Sequence, residues 1–111
     1  MPVTREYREY VLEQLGRIAP VTARSMFGGV GIYSAGLFFA LMYGDLLYFK
    51  VNETNRPDFE RAGKGPFRPF AEKSTTMQYY EVPGELLERP DELRPWVEKA
   101  LAVALNKQRR K

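Results

Sequence analysis

The amino-acid sequence predicts an α+β domain: an antiparallel sheet of about five strands flanked by an N-terminal helix, a short middle helix and a long C-terminal helix. Three observations predict this class. Short apolar segments separated by glycines occupy residues 21–51, which is typical of a meander of strands. Apolar residues recur at helical spacing near both ends of the chain. A chain of 111 residues builds one hydrophobic core, so we expect a single domain over residues 1–111.

The first predicted element is a helix over about residues 4–17. Thr4 can cap it, because its hydroxyl accepts a hydrogen bond from a free backbone N–H of the first turn. Pro20 prevents the helix from continuing. The helix has one apolar stripe, formed by Tyr7, Val11, Leu15 and Ile18.

Four strands are predicted next, over residues 21–27, 30–33, 37–43 and 46–51. A bend at Gly28-Gly29 joins the first two strands, and a three-residue loop with a left-handed Gly36 joins the second and third. Gly44-Asp45 is typical of a type II′ turn, which has glycine in its first position.

This turn fixes the register of its two strands, and the register fixes their faces. The predicted pairs on the core face are Phe38 with Val51, Ala40 with Phe49, and Met42 with Leu47. The second face receives Leu37, Phe39, Leu41, Tyr43, Leu46, Tyr48 and Lys50. Since a half-buried strand normally alternates apolar with polar residues, we expect a cover over this second face. The first helix, the final helix or a second protein chain can supply it.

The second half of the chain predicts a short helix, a loop and a fifth strand. Asn52 or Thr54 can cap the short helix, with Pro57 in its first turn. Residues 64–73 predict an irregular loop, which Phe67 and Phe70 attach to the rest of the domain. The fifth strand is predicted over residues 74–82.

A short helix from Pro83 to Leu87 and a long final helix complete the predicted fold. Pro90 opens the final helix, because proline is tolerated in a first turn. Its buried stripe is formed by Leu93, Val97, Ala100, Leu101 and Ala104.

The composition excludes several kinds of chemistry. The chain contains neither cysteine nor histidine, so disulfides, thiolate metal sites and a Ser-His-Asp triad are impossible. No carboxylates are expected to converge, and we expect no enzymatic activity, no cofactor and no metal. The longest apolar run, residues 37–43, is far shorter than the ~20 residues of a membrane helix. With no signal peptide apparent, we expect a cytoplasmic protein without membrane contact.

Several short segments of the sequence together indicate a protein family more specifically than any one of them does alone. They are Arg-Ser-Met-Phe-Gly-Gly at 24–29, Ile-Tyr at 32–33, Leu-Tyr-Phe-Lys-Val at 47–51, Arg56 with Phe59, residues 77–83, and Glu92-Leu93 with Trp96. In these segments the sequence resembles the N-terminal domain of the TfoX/Sxy family of bacterial competence regulators. The resemblance implies an α+β fold and a regulatory role without catalytic residues. The longer regulators of that family add a C-terminal domain, so the resemblance here is to a stand-alone form.

The resemblance and the apolar second face together favour action through protein–protein contact. The simplest partner is a second copy of the chain, and another regulatory protein is the alternative. The expected contact residues are Leu37, Phe39, Leu41, Leu46 and Tyr48.

Nucleic-acid binding is the second hypothesis. Tyr33, Tyr48, Tyr79 and Tyr80 beside Lys50 can stack single-stranded bases, although tyrosines on strands are also common packing residues. The expected anion contacts are Arg24, Lys50, Lys107, Arg109 and Arg110. Salt bridges to Glu53 or Glu81 and a solvated basic tail explain the same residues without a ligand. The net charge is only +3, and much of it lies in the last five residues, so we expect weak binding.

Overall fold

The computed structural model describes residues 3–26, 28–67 and 78–109. They form an antiparallel sheet in which strands β1 to β5 lie side by side in chain order. The elements are α1 (Arg5–Gly16), β1 (Thr22–Met26), β2 (Gly29–Ser34), β3 (Leu37–Tyr43), β4 (Leu46–Lys50), α2 (Arg56–Arg61), β5 (Tyr79–Glu81), a 3-10 helix (Gly84–Glu88) and α3 (Pro90–Arg109). The predicted α+β fold is confirmed.

The helices share one face of the sheet. The α3 residues Leu93, Val97, Ala100 and Ala104 are buried as predicted, in one cluster with residues of β3 and β4. Phe59 of α2 packs on Tyr80 of β5 and on Trp96, with ring centroids 6.1 Å and 4.8 Å away. Val11 and Leu15 of α1 belong to the same cluster. The core therefore lies between this face and the helices.

The β3–β4 hairpin has the predicted register. Gly44 has a φ of 59°, as the first position of a type II′ turn requires. Ala40 pairs with Phe49 and Met42 pairs with Leu47 across the ladder. These four residues are buried, and Val51 is buried as well.

The alternation of β3 is broken at Phe39. Ile32 of β2 pairs with Ala40, but the next residue, Tyr33, pairs with Phe38, so Phe39 is the extra residue of a β-bulge. The bulge inverts the faces of the residues before Ala40. Phe39 is fully buried, with its ring centroid 5.8 Å from that of Phe49.

The predicted faces of three residues are therefore wrong. Leu37 and Phe39 were expected on the second face, but both lie on the helix side of the sheet. Phe38 was expected in the core, but it stacks on Tyr33 on the opposite side. Periodicity cannot reveal this bulge, because residues 37–43 are apolar on both faces.

Smaller differences lie at the element ends. Thr4 caps α1 as predicted, with its Oγ1 accepting from the N–H of Tyr7 at 3.2 Å. The β2–β3 loop has two residues, Ala35 and Gly36, both with positive φ, and not the predicted three. The N-cap of α2 is Asn55, and not Asn52 or Thr54.

Part of the predicted loop and fifth strand cannot be compared. Phe70 and residues 74–77 lie outside the described residues. Phe67 does attach the start of that loop to the sheet, because its ring packs on Tyr48 with centroids 4.6 Å apart.

Candidate functional site

The first candidate site is the face of the sheet opposite the helices, which we call the outer face. The strand pairings place on it the side chains of Arg24, Met26, Tyr33, Phe38, Leu41, Tyr43, Leu46, Tyr48, Lys50, Tyr79 and Glu81. Of the five predicted contact residues, Leu41, Leu46 and Tyr48 are brought together on this face. Leu37 and Phe39 are not, because of the bulge.

The outer face is apolar and only partly covered. Leu46 is 43% exposed, and Leu41 and Tyr43 are half-buried. Phe67 packs on Tyr43 and Tyr48, with centroids 5.2 Å and 4.6 Å away, which explains why Tyr48 is buried. The helices that were possible covers, α1 and α3, both contribute to the core on the other side.

Aromatic side chains surround Lys50 at one end of the outer face. The rings of Tyr33 and Phe38 are stacked with centroids 5.0 Å apart, and Tyr79 lies 5.7 Å from Phe38. The Nζ of Lys50 lies 5.2 Å from the Phe38 centroid and 5.7 Å from that of Tyr79. Tyr80, which was expected beside Lys50, instead faces the core. These aromatic rings are already occupied by packing, which leaves little ring surface for a base.

Lys50 is an unusual residue for its surroundings. It is only 7% exposed, and within the described part of the chain it makes neither an ion pair nor a side-chain hydrogen bond. Glu81, which was expected to form a salt bridge with Lys50 or Arg24, instead forms one with Lys64, with Nζ and Oε2 3.5 Å apart. Burial, and then the like charge of Lys107, lower the pKa of Lys50 to about 8. Cation–π contact with two rings offsets part of the desolvation, by about 0.5–2 kcal/mol.

The second candidate site is an open cleft of about 640 Å³ at the end of the sheet where β4 finishes. The β4–α2 connection and the last turns of α3 form its walls. We call it the basic cleft, because Lys50, Arg56 and Lys107 line it with Glu53 as their acidic neighbour. The Nζ of Lys107 donates to Oε1 of Gln78 at 2.8 Å across the cleft mouth.

A buried asparagine supports the wall of this cleft. Asn55 is 1% exposed and bridges the β4–α2 connection. Its Nδ2 donates to the carbonyl oxygen of Lys50 at 3.1 Å, and its Oδ1 accepts from the N–H of Asn52 at 2.9 Å. These bonds fix the backbone on both sides of the turn that carries Lys50 toward Arg56.

The predicted anion contacts are thus partly brought together. Lys50 and Lys107 meet in the basic cleft, whereas Arg24 is exposed on β1, three strands away from β4. The side chain of Arg109 and the whole of Arg110 lie outside the described residues. Arg56 was not predicted as an anion contact, because no local spacing in the sequence relates it to the other two cations.

Two further properties concern metals and membranes. Within residues 3–26, 28–67 and 78–109, no group of three or more Asp, Glu, His or Cys residues is placed to hold a metal ion. No described helix combines the length and apolar character that crossing a membrane requires.

Comparison with known families gives a match over residues 13–104, which extends from within α1 to within α3. The matching family is described as the TfoX N-terminal domain. A comparison with curated proteins gives no match. The matched range includes β1 to β5 and two of the three cations of the basic cleft.

Proposed function

Since this chain belongs to the TfoX N-terminal domain family, we propose that it is a non-enzymatic cytoplasmic regulatory domain that acts through protein–protein contact. The outer face is the contact surface, and the partner is a second copy of the chain. By the family resemblance, the process that it regulates is competence for DNA transformation.

The observation that carries this proposal is the apolar character of the outer face. The packing of α1, α2 and α3 on the other side leaves Leu41, Tyr43 and Leu46 partly open to solvent. Apolar residues that are contiguous on a surface mark interaction sites more often than isolated ones do.

A second copy suits this face because two-fold symmetry brings the same surface against itself. Such an arrangement requires a surface that does not repel its own copy. The charged groups of the outer face are few: Glu81 is neutralised by Lys64, and Lys50 is buried under aromatic rings. Arg24 lies on β1, the edge strand, where a rotated copy can keep it in solvent.

The test compares two leucines of similar exposure. Leu46 on the outer face is 43% exposed and Leu105 on α3 is 40% exposed, so a charge at either position is accommodated in the folded monomer. We expect the wild type to be a dimer by light scattering and Leu46→Glu to be a folded monomer. Leu105→Glu serves as the control and should remain a dimer. Circular dichroism establishes that both variants are folded.

Two results would contradict the proposal. One is a wild type that stays monomeric over the full concentration range. The other is a Leu46→Glu variant that keeps the mass of the wild type while Leu105→Glu loses it, since this would place the contact on α3.

Nucleic-acid binding is the second candidate, and the observation that favours it is the presence of Lys50, Arg56 and Lys107 in one cleft, where they can contact backbone phosphates. A titration with single-stranded oligonucleotides at several salt concentrations separates the two functions. Phosphate contacts weaken steeply with salt, whereas apolar association of two copies does not. The protein-contact proposal expects no steep salt dependence of the dimer and no stoichiometric oligonucleotide complex at moderate salt.

A further inference from the structure

The basic cleft carries a net positive charge, because its cations outnumber its carboxylates. Lys50, Arg56 and Lys107 face one acidic residue, Glu53, so three positive charges and one negative charge leave a net +2. Within the described part of the chain, none of the three cations forms an ion pair.

Several cations elsewhere in the fold are paired. Lys99 and Arg61 share the carboxylate of Asp58, with 2.7 Å between Lys99 Nζ and Asp58 Oδ2. Lys64 pairs with Glu81. The three cations of the cleft, in contrast, have only Glu53 as an acidic neighbour in the described part of the lining.

The ammonium of Lys50 is available to a ligand in the cleft. An ammonium carries three N–H donors, and this one lies beside two ring faces with no hydrogen-bond acceptor among the described residues. No buried side-chain nitrogen or oxygen among the described residues lacks a hydrogen-bond partner, so the Nζ of Lys50 is open to solvent, and an anion bound in the cleft can replace the water there.

We propose that the basic cleft binds a small organic phosphate, whose phosphate group is held by Lys50, Arg56 and Lys107. A phosphate monoester carries a charge of about −1.5 to −2 near pH 7, which matches the net charge of the cleft. A guanidinium donates two parallel hydrogen bonds to a phosphate, and an ammonium acts as a point charge. This inference does not depend on the proposed dimer, because Lys50 lies at the opposite end of β4 from Leu46.

The remainder of the cleft suits a small organic group. Its volume of about 640 Å³ lies within the range of ligand sites, roughly 300–1,000 Å³. Val51 and Val103 provide an apolar surface, and the amides of Gln78 and Asn106 provide donors and acceptors. A simple carboxylate would bring one charge and two oxygens to three cations, so it fits less well.

The experiment is a titration of the full chain with ribose 5-phosphate. Binding is measured by calorimetry and by the changes in amide chemical shifts in NMR spectra. We expect saturable binding, with the largest shifts at Val51, Asn52 and Asn106. Arg56→Gln and Lys50→Met should each weaken binding by at least about tenfold. The control is Arg94→Gln, an exposed arginine elsewhere on α3, which should bind within about twofold of the wild type.

Other ligands complete the test. Saturable binding of inorganic phosphate at the same amides, weaker than that of ribose 5-phosphate, supports the proposal. Ribose binding as tightly as ribose 5-phosphate would overturn it, as would acetate binding as tightly as phosphate. An Arg56→Gln variant that binds like the wild type also overturns it, and this variant removes no buried side chain. Binding of long oligonucleotides without binding of ribose 5-phosphate would assign the cleft to nucleic acid instead.

Discussion

Replacing Phe39 by alanine should destabilise the protein much more than replacing its neighbour Phe38. The bulge in β3 places Phe39 in the core, where it is fully buried against Phe49. Phe38 lies on the outer face and is half-buried between Tyr33 and Tyr79. A regular strand would reverse the two positions, so this pair of variants tests the bulge directly.

The expected magnitudes follow from burial. Truncating a fully buried phenylalanine costs about 3–5 kcal/mol, from lost transfer free energy and the cavity left behind. Phe38→Ala removes a partly exposed ring and its aromatic contacts, for which we expect about 1–2 kcal/mol. Because the whole domain is stabilised by only about 5–15 kcal/mol, Phe39→Leu is a useful milder variant, with an expected cost of about 1 kcal/mol.

The assay is equilibrium unfolding in urea, followed by the fluorescence of Trp96 and by circular dichroism. The slope of the free energy against urea should stay constant among the variants, so that shifts of the midpoint report stability. The reasoning is refuted if Phe38→Ala costs as much as or more than Phe39→Ala. That result would mean that β3 is a regular strand with Phe38 in the core.

Two further predictions use the same assay. Gly29→Ala should cost more than about 2 kcal/mol, because a Cβ there would overlap the backbone oxygen of Met42. Gly16→Ala, where a Cβ would meet nothing within 4 Å, should be neutral or stabilising by up to about 1 kcal/mol, and equal costs of the two variants would contradict this. The second prediction concerns Lys50, whose pKa is lowered to about 8 by burial first and then by the like charge of Lys107. Between about pH 8 and pH 10 the unfolded chain therefore binds more protons at this residue than the folded chain does. Relative to Lys50→Met, the free energy of unfolding of the wild type should therefore rise across that window, by about 1–2 kcal/mol after allowance for the water that reaches the cleft. The comparison cancels the opposite effect of Tyr7 and Tyr79, whose pKa values are raised by burial. Parallel pH profiles of the two proteins would refute this prediction.

The parts of the fold that local rules determine could be predicted from the sequence. The Gly44-Asp45 turn fixed the β3–β4 register, because a two-residue turn leaves no freedom in pairing. The α3 stripe followed from helical periodicity, and the capping of α1 followed from the chemistry of Thr4. Each of these signals depends on residues that are close together along the chain.

The bulge and the basic cleft could not be predicted in this way. A bulge is visible in a sequence only where one face is polar, and residues 37–43 supply no polar marker. The cleft combines the end of β4, the start of α2 and the last turns of α3. Lys50 and Lys107 were expected as separate anion contacts, and only the packing of α3 along the sheet brings them together with Arg56.

The bulge also links the fold to the candidate site. By inverting the faces of the first residues of β3, it moves the ring of Phe38 out of the core and to within 5.2 Å of the Lys50 ammonium. Together with Tyr79, this ring shields Lys50 from water, which is the main reason for its lowered pKa. The irregularity in β3 thus places a second aromatic ring beside a cation of the basic cleft, and a partly desolvated cation gains more from a bound anion than a fully solvated one does.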